Sequence, residues 1–191
     1  MPKKRVTLAA LTSAAIVVAD REGFETLTLN GVAAELDVAA STLYSHTDGL
    51  DGLKTLVAVA GTRNLTEAVR NSAVGASGLD ALTAMATAYR TFALHHPGQF
   101  ASTLLPPRSD LDELAMANAT LIDVFVLVYR AIGLKDQDAR LAARAMRSAI
   151  HGFLALQRTR ASPSDHDAEY WYLLDALQRG ILNLTAEPES A

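Results

Sequence analysis

Apolar side chains recur along this chain at intervals of three and four, and alternating β-branched runs bounded by turn pairs are missing, so the pattern predicts helices and no strand. Thr7 is placed to cap a helix running to about Glu22, with Leu8, Leu11, Ala15, Val18 and Ala19 on one side and Gly23 as its stop. Thr28 opens a second, short helix through Leu36, and Ala40 to His46 forms a third. A longer helix is expected from Leu50 to Asn71, ended by the small-residue loop Val74 to Gly78. Another spans Leu79 to His96, where Pro97-Gly98 ends it, and a short one follows near Gln99 to Leu104. After the break at Pro106-Pro107, Asp110 or Asp112 starts a helix to Ile132, and Asp136 to Thr159 and Asp167 to Leu184 complete the set. The expectation is an all-α chain of about nine helices.

Composition narrows the function classes. The chain has 191 residues, half of them hydrophobic and 20% charged, which excludes a disordered or fibrous protein. It has no cysteine, so disulfides, cysteine-based zinc sites and thiol nucleophiles are excluded, and a cytoplasmic location is expected. A net charge of −4 argues against bulk electrostatic coating of nucleic acid, so any DNA contact must be local. No apolar run is read as spanning a bilayer, the longest candidate being Ala14 to Ala19, and export is not expected although Lys3-Lys4-Arg5 followed by Leu8 to Ala19 faintly mimics a leader.

The stretch Thr28 to Tyr44, TLNGVAAELDVAASTLY, places two short helices around the tight connection Asp37-Val38-Ala39, the spacing of a helix-turn-helix. Val32, Ala33 and Leu36 face Val38 and Leu43 in a small shared core, leaving Ser41, Thr42, Ser45 and His46 outward. The basic arm Lys3, Lys4 and Arg5 can lie on phosphate or enter a minor groove, and Lys54 can hold a phosphate. Residues 1–55 nevertheless carry five bases against seven acids, so few phosphates are neutralised and the salt dependence of binding should be shallow.

Ala14-Ala15, Gly23, Leu27-Thr28, Val32-Ala33, Val38, Thr42-Leu43-Tyr44, His46 and Leu53 together resemble the N-terminal domain of the tetracycline-repressor (TetR) family. A second resemblance lies in AARAMRSAIHGFLALQ, Ala142 to Gln157, followed by Asp167 to Tyr170. It is similar to the C-terminal domain of the branch named for a Trp-His-Gly signature, of which His151-Gly152 is present and the Trp is not. The resemblance implies a helix-turn-helix domain over 1–49 and a ligand-binding and dimerisation domain over 50–191. It implies that Thr28 and Tyr44 hold phosphates and that Ala40, Ser41, Thr42, Ser45 and His46 lie over base edges. The chain departs from the family pattern at Asp37, Ala39, Thr47 and Leu50, where Gly, a capping Ser or Thr, an aromatic residue and Lys are common.

Other constellations are weaker. His95 and His96 are adjacent and point about 100° apart on a helix, poorly placed to share a metal, and no metal or cofactor is expected. His151 reads as a packed or interface residue. No phosphate loop, Ser-His-Asp context or paired carboxylates suggest an enzyme. Met85, Tyr89, Phe92, Phe100, Met116, Phe125, Tyr129 and Met146 are candidates to line a pocket for the small-molecule effector that the resemblance implies. Ala142, Ala145, Ala149 and Gly152 form a small-residue track, and Tyr170, Leu173, Leu174, Leu177, Ile181 and Leu184 an apolar stripe; together they suggest a two-fold four-helix interface between two copies. The resulting expectation is a ligand-responsive regulator, a repressor, that binds a pseudo-palindromic DNA operator as a homodimer. The alternative is an all-helical sensor or interaction protein with little DNA binding.

Overall fold

The computed structural model describes residues 6–109, 112–159 and 166–186. Among them there are eight α-helices and one 3₁₀ helix, and no strand. The helices are α1 (Leu8–Glu22), α2 (Leu29–Leu36), the 3₁₀ turn Ala40–Ser45, α3 (Gly49–Ser72), α4 (Gly78–His95), α5 (Pro97–Ser102), α6 (Glu113–Ala131), α7 (Asp136–Thr159) and α8 (His166–Ala186). Lys3, Lys4, Arg5 and the side chain of Leu184 lie outside the described residues.

The local chemistry explains the boundaries. The Thr7 hydroxyl accepts from Ala10 N at 3.1 Å and Thr28 from Gly31 N at 3.0 Å, capping α1 and α2 as the sequence implies. Gly23, at φ +104°, takes the backbone turn that ends α1. Asp112 caps α6: its carboxylate accepts from Ala115 N at 2.7 Å and from Arg108 N at 2.6 Å. These backbone bonds, Ala115 first, hold its carboxyl below the usual carboxylate range.

Three elements depart from the expectation. The third helix is 3₁₀, with Thr42 N donating to Ala39 O and His46 N to Leu43 O, a short run of the length 3₁₀ turns commonly take, and Ala39 gives it no side-chain cap. Pro97 does end α4, but it also opens α5 two residues earlier than Gln99. Glu113–Ala131 is long and apolar enough to cross a membrane by length and composition, where no such run was expected. As α6 it nevertheless buries Leu114, Leu121, Val124, Phe125, Val126 and Tyr129 inside the protein and carries Asp123 in an ion pair with Arg140.

Two compact units emerge, one of Met1–Leu65 with Phe92–Asn118 and one of Thr66–Thr91 with Ala119–Ala191, their boundaries falling inside α3, α4 and α6. In the first, α1 packs on α2 and on α5, and Leu11, Val18, Leu27, Val32, Leu43, Leu53 and Val57 share a core. In the second, α7 packs on α8, and Tyr89, Phe125, Tyr129, Met146, Ile150 and Tyr170 are fully buried or nearly so.

Asp37 ends α2 at φ +56°, ψ +50°, the left-handed conformation that costs a β-carbon-bearing residue free energy. Asp37→Gly should therefore stabilise the chain by about 0.5–1 kcal/mol, read as a rise in Tm of about 1–4 °C; an unchanged or lower Tm would contradict this assignment of strain.

Candidate nucleic-acid interface and helical core

The reading face is built from the inside out. Leu43 is fully buried among Val32, Ala33, Leu11 and Leu53, with Leu36, Val38 and Ala40 packed partly against the same core. With Leu43 pointing in, Ser41, Tyr44 and Ser45 are exposed, Tyr44 at 62%, while Ala40, Thr42 and His46 are half-buried. Ser45 donates its hydroxyl hydrogen to Thr42 O at 2.8 Å, leaving its lone pairs for an outside donor. Thr28 is exposed, and because its hydroxyl accepts from Gly31 N it keeps a hydrogen for an external acceptor such as phosphate.

The described cations of this region are engaged. Arg21 binds Glu35 at 2.8 Å and Glu22 at 2.9 Å, and these partners, Glu35 first, raise its pKa further. Lys54 lies 3.3 Å from Glu25 and its ammonium sits 5.2 Å from the Phe24 ring centroid. Any external phosphate must compete with Glu25 for the Lys54 charge. An open cavity of about 140 Å³ adjoins it, lined by Lys54, Thr55, Leu105, Pro107, Arg108 and Leu114, and lies away from the residues expected to meet an effector.

Those pocket candidates fall in both units. Met85, Tyr89, Phe125, Tyr129 and Met146 are buried in the second; Phe92 and Phe100 are buried in the first. Met116 corrects the expectation: it is 56% exposed, because α6 turns Leu114, Ala117 and Leu121 inward and Met116 falls on another side of the helix. In the second unit the Tyr89 hydroxyl lies 3.1 Å from His151 Nδ1, with the rings edge to face. His151 is thus a packed residue. The Tyr129 hydroxyl is buried and has no hydrogen-bond partner among the described residues, which is costly for a polar group in an apolar interior. Burial holds it protonated as a donor.

The apolar stripe of α8 also needs correction. Tyr170, Leu174 and Ile181 are buried on their own chain, as is Ala142. Tyr170 donates to Ala86 O at 2.7 Å and Gln178 Nε2 donates to Thr83 Oγ1 at 2.9 Å, tying α8 to α4. A stripe wide enough for two neighbours uses one edge inside the chain. Leu173, Leu177 and Ala149 are half-buried, and Ala145 and Gly152 remain exposed. Beside them stand exposed residues that sequence reasoning did not single out, Leu141 and Leu156 on α7 and Tyr172 and Ala176 on α8. The 141, 145, 152, 156 spacing was the available signal.

Burial, and secondarily the Arg147 charge, push the His151 pKa down to about 4 from an ordinary 6.5. Between those values the unfolded chain binds a proton that the native chain refuses, so stability falls as pH drops from 6.5 toward 4, by up to about 1.4 kcal/mol per pH unit. His151→Gln should flatten this acid limb in thermal melts between pH 7 and pH 4.5; an equally steep limb would place the titrating group elsewhere.

Residues 82–177 match the model of the tetracyclin repressor-like C-terminal domain. An uncharacterized HTH-type transcriptional regulator of Mycobacterium tuberculosis is 30% identical over 184 residues, covering 95% of this chain and 84% of that protein. ActR of Streptomyces coelicolor, solved in complex with actinorhodin, superposes with a TM-score of 0.76 at 17% identity, covering 97% of this chain and 99% of that one. A TetR variant of Acinetobacter baumannii, solved in complex with minocycline, gives 0.73 at 18%, covering 95% and 99%. A buried-Leu43 helix-turn-helix followed by a matching C-terminal domain, together with a relative of this identity along nearly the whole chain, makes this protein a member of the TetR family of helix-turn-helix transcriptional regulators.

Proposed function

We propose that the chain represses transcription from a pseudo-palindromic operator as a homodimer in the cytoplasm and releases DNA when a small molecule enters its helical core. The observation that carries the DNA half is the outward face of the 3₁₀ turn, where Ser41, Tyr44 and Ser45 stand exposed above a fully buried Leu43. Such a turn fits the major groove, with Thr28 and Tyr44 on phosphates and Ala40, Ser41, Thr42, Ser45 and His46 over base edges. Lys3, Lys4 and Arg5 complete the interface in this reading, with Lys54 joining once Glu25 is displaced. Residues 1–49 act as the reading domain and 50–191 as the sensing and dimerising one.

Dimerisation is assigned to the face left open on α7 and α8. Leu141, Ala145, Gly152, Leu156, Tyr172 and Ala176 are exposed, and small residues among large apolar ones allow two helix pairs to approach closely. For the effector, the second unit offers Met85, Phe125 and Met146 as apolar lining and the unpartnered Tyr129 hydroxyl as a donor. That ActR was solved with actinorhodin and the Acinetobacter protein with minocycline supports a small-molecule effector for this chain. An effector that favours one arrangement of α3 by about 100-fold supplies about 2.7 kcal/mol, enough to move two reading heads off the roughly 34 Å spacing of successive major grooves.

In vitro selection from random duplex DNA tests the proposal. The chain should enrich an inverted repeat, and Tyr44→Ala should weaken binding to it about tenfold with the dimer intact. A Cβ at Gly152 meets open space, so Gly152→Arg should leave the fold intact while light scattering reports monomers and operator affinity falls. Failure to enrich any sequence would favour a sensor without useful DNA binding, for which the paired Arg21 and Lys54 are the motivating observation.

A further inference from the structure

Asp20, at the end of α1, is placed to do more than solvate a helix terminus. Its Oδ1 accepts from Gly98 N and from Gln99 N, both at 2.9 Å, and its Oδ2 accepts from Gln99 Nε2 at 2.7 Å and lies 3.3 Å from His96 Nδ1. Gln99 then passes the connection on, its Oε1 accepting from Asn64 Nδ2 of α3 at 2.7 Å. One carboxylate therefore holds the start of α5, and through Gln99 it is linked to α3.

Two glycines make the approach possible. A Cβ on Gly98 would overlap the Ala19 carbonyl, so at this point the backbones of α5 and α1 touch directly. A Cβ on Gly61 of α3 would stand 2.9 Å from Ser102 Oγ and 3.0 Å from Gln99 O, tighter than side chains tolerate. Ser102 itself is buried and donates to Gln99 O at 2.7 Å. α5 is thus seated between α1 and α3 at distances that leave no room for sliding. It is joined to α4 by the single residue His96, whose ring lies 4.9 Å from that of Phe92 on the last turns of α4.

We propose that Asp20 is the positioning residue through which α4 and α5 hold α1, and with it the helix-turn-helix, in the orientation that two DNA half-sites require. The inference rests on the operator-binding reading above and deepens it by naming the joint. Asp20 touches no DNA in that reading. Its loss leaves each reading head competent and removes the fixed relation between two of them, because the head's own core of Leu11, Val32, Leu43 and Leu53 is apolar and independent of the carboxylate.

The experiment compares Asp20→Asn and Asp20→Ala with the wild-type dimer on two probes taken from the in vitro selection, the full inverted repeat and a duplex bearing one half-site. Affinity for the full repeat should fall at least tenfold for Asp20→Ala and less for Asp20→Asn, which keeps one acceptor oxygen, while half-site affinity changes less than twofold. Hydrogen exchange on the same proteins should show faster exchange at the Gly98 and Gln99 amides of α5 with the α1 amides unchanged. An equal loss on both probes, or none on either, would overturn the joint and leave Asp20 a cap of α5 alone. If the wild type enriches no DNA, the operator reading fails, and this inference with it; if it enriches a repeat that both variants bind as tightly, only the joint fails.

Discussion

The burial of Leu43 is the constraint from which the reading surface follows. A six-residue 3₁₀ turn without a side-chain cap has little stability of its own, and what fixes it here is one leucine sunk into the core shared by α1, α2 and α3. Because that side chain points inward, the neighbours on either side must point out, and they are hydroxyl-bearing or aromatic, none of them charged. Chemistry at the surface is therefore set by packing beneath it. The same logic appears at α5, where the absence of two β-carbons, at Gly61 and Gly98, allows backbone to meet backbone and lets a single aspartate finish the contact.

Much of this was legible in the sequence. Thr7 and Thr28 declared two helix starts, Gly23 a stop, and the three-four periodicity located every long helix to within a residue or two, because caps and amphipathic faces are local signals. The core set Val32, Ala33, Leu36, Val38 and Leu43 followed from spacing alone. The 3₁₀ character of Ala40–Ser45 did not, since periodicity does not separate short 3₁₀ and α turns. Nor did the role of Asp20 and Gly98: Pro97-Gly98 reads as a helix stop, and only the fold brings α5 against the end of α1, 78 residues earlier in sequence.

Surface stripes misled for a physical reason. Tyr170, Leu174 and Ile181 are already buried within their own chain, Tyr170 bonded to Ala86 O of α4, whereas Leu141, Ala145, Gly152, Leu156 and Tyr172 stand exposed. A helix flanked on two sides carries two apolar edges, and periodicity gives their union. The exposure of Met116 has the same origin, one apolar side chain on the outer side of a helix whose opposite side is packed.

The electrostatics distinguish this regulator from proteins that grip the phosphate backbone by charge. Its reading region is net acidic, and Arg21 and Lys54 are held by Glu22, Glu35 and Glu25. In the interface proposed above, specificity rests on hydroxyl and ring contacts made by a neutral turn. The most direct measurement is the dependence of affinity on salt for the duplex that the protein selects. With Lys3, Lys4, Arg5 and Lys54 as the cations placed at each half-site, this account gives a slope of log K against log salt no steeper than about −7, the release expected for at most about eight phosphate contacts per dimer, with selectivity retained at 200 mM. A slope near −10 or steeper, with binding lost at moderate salt, would mean that further cations and not the Leu43-braced turn carry the interaction.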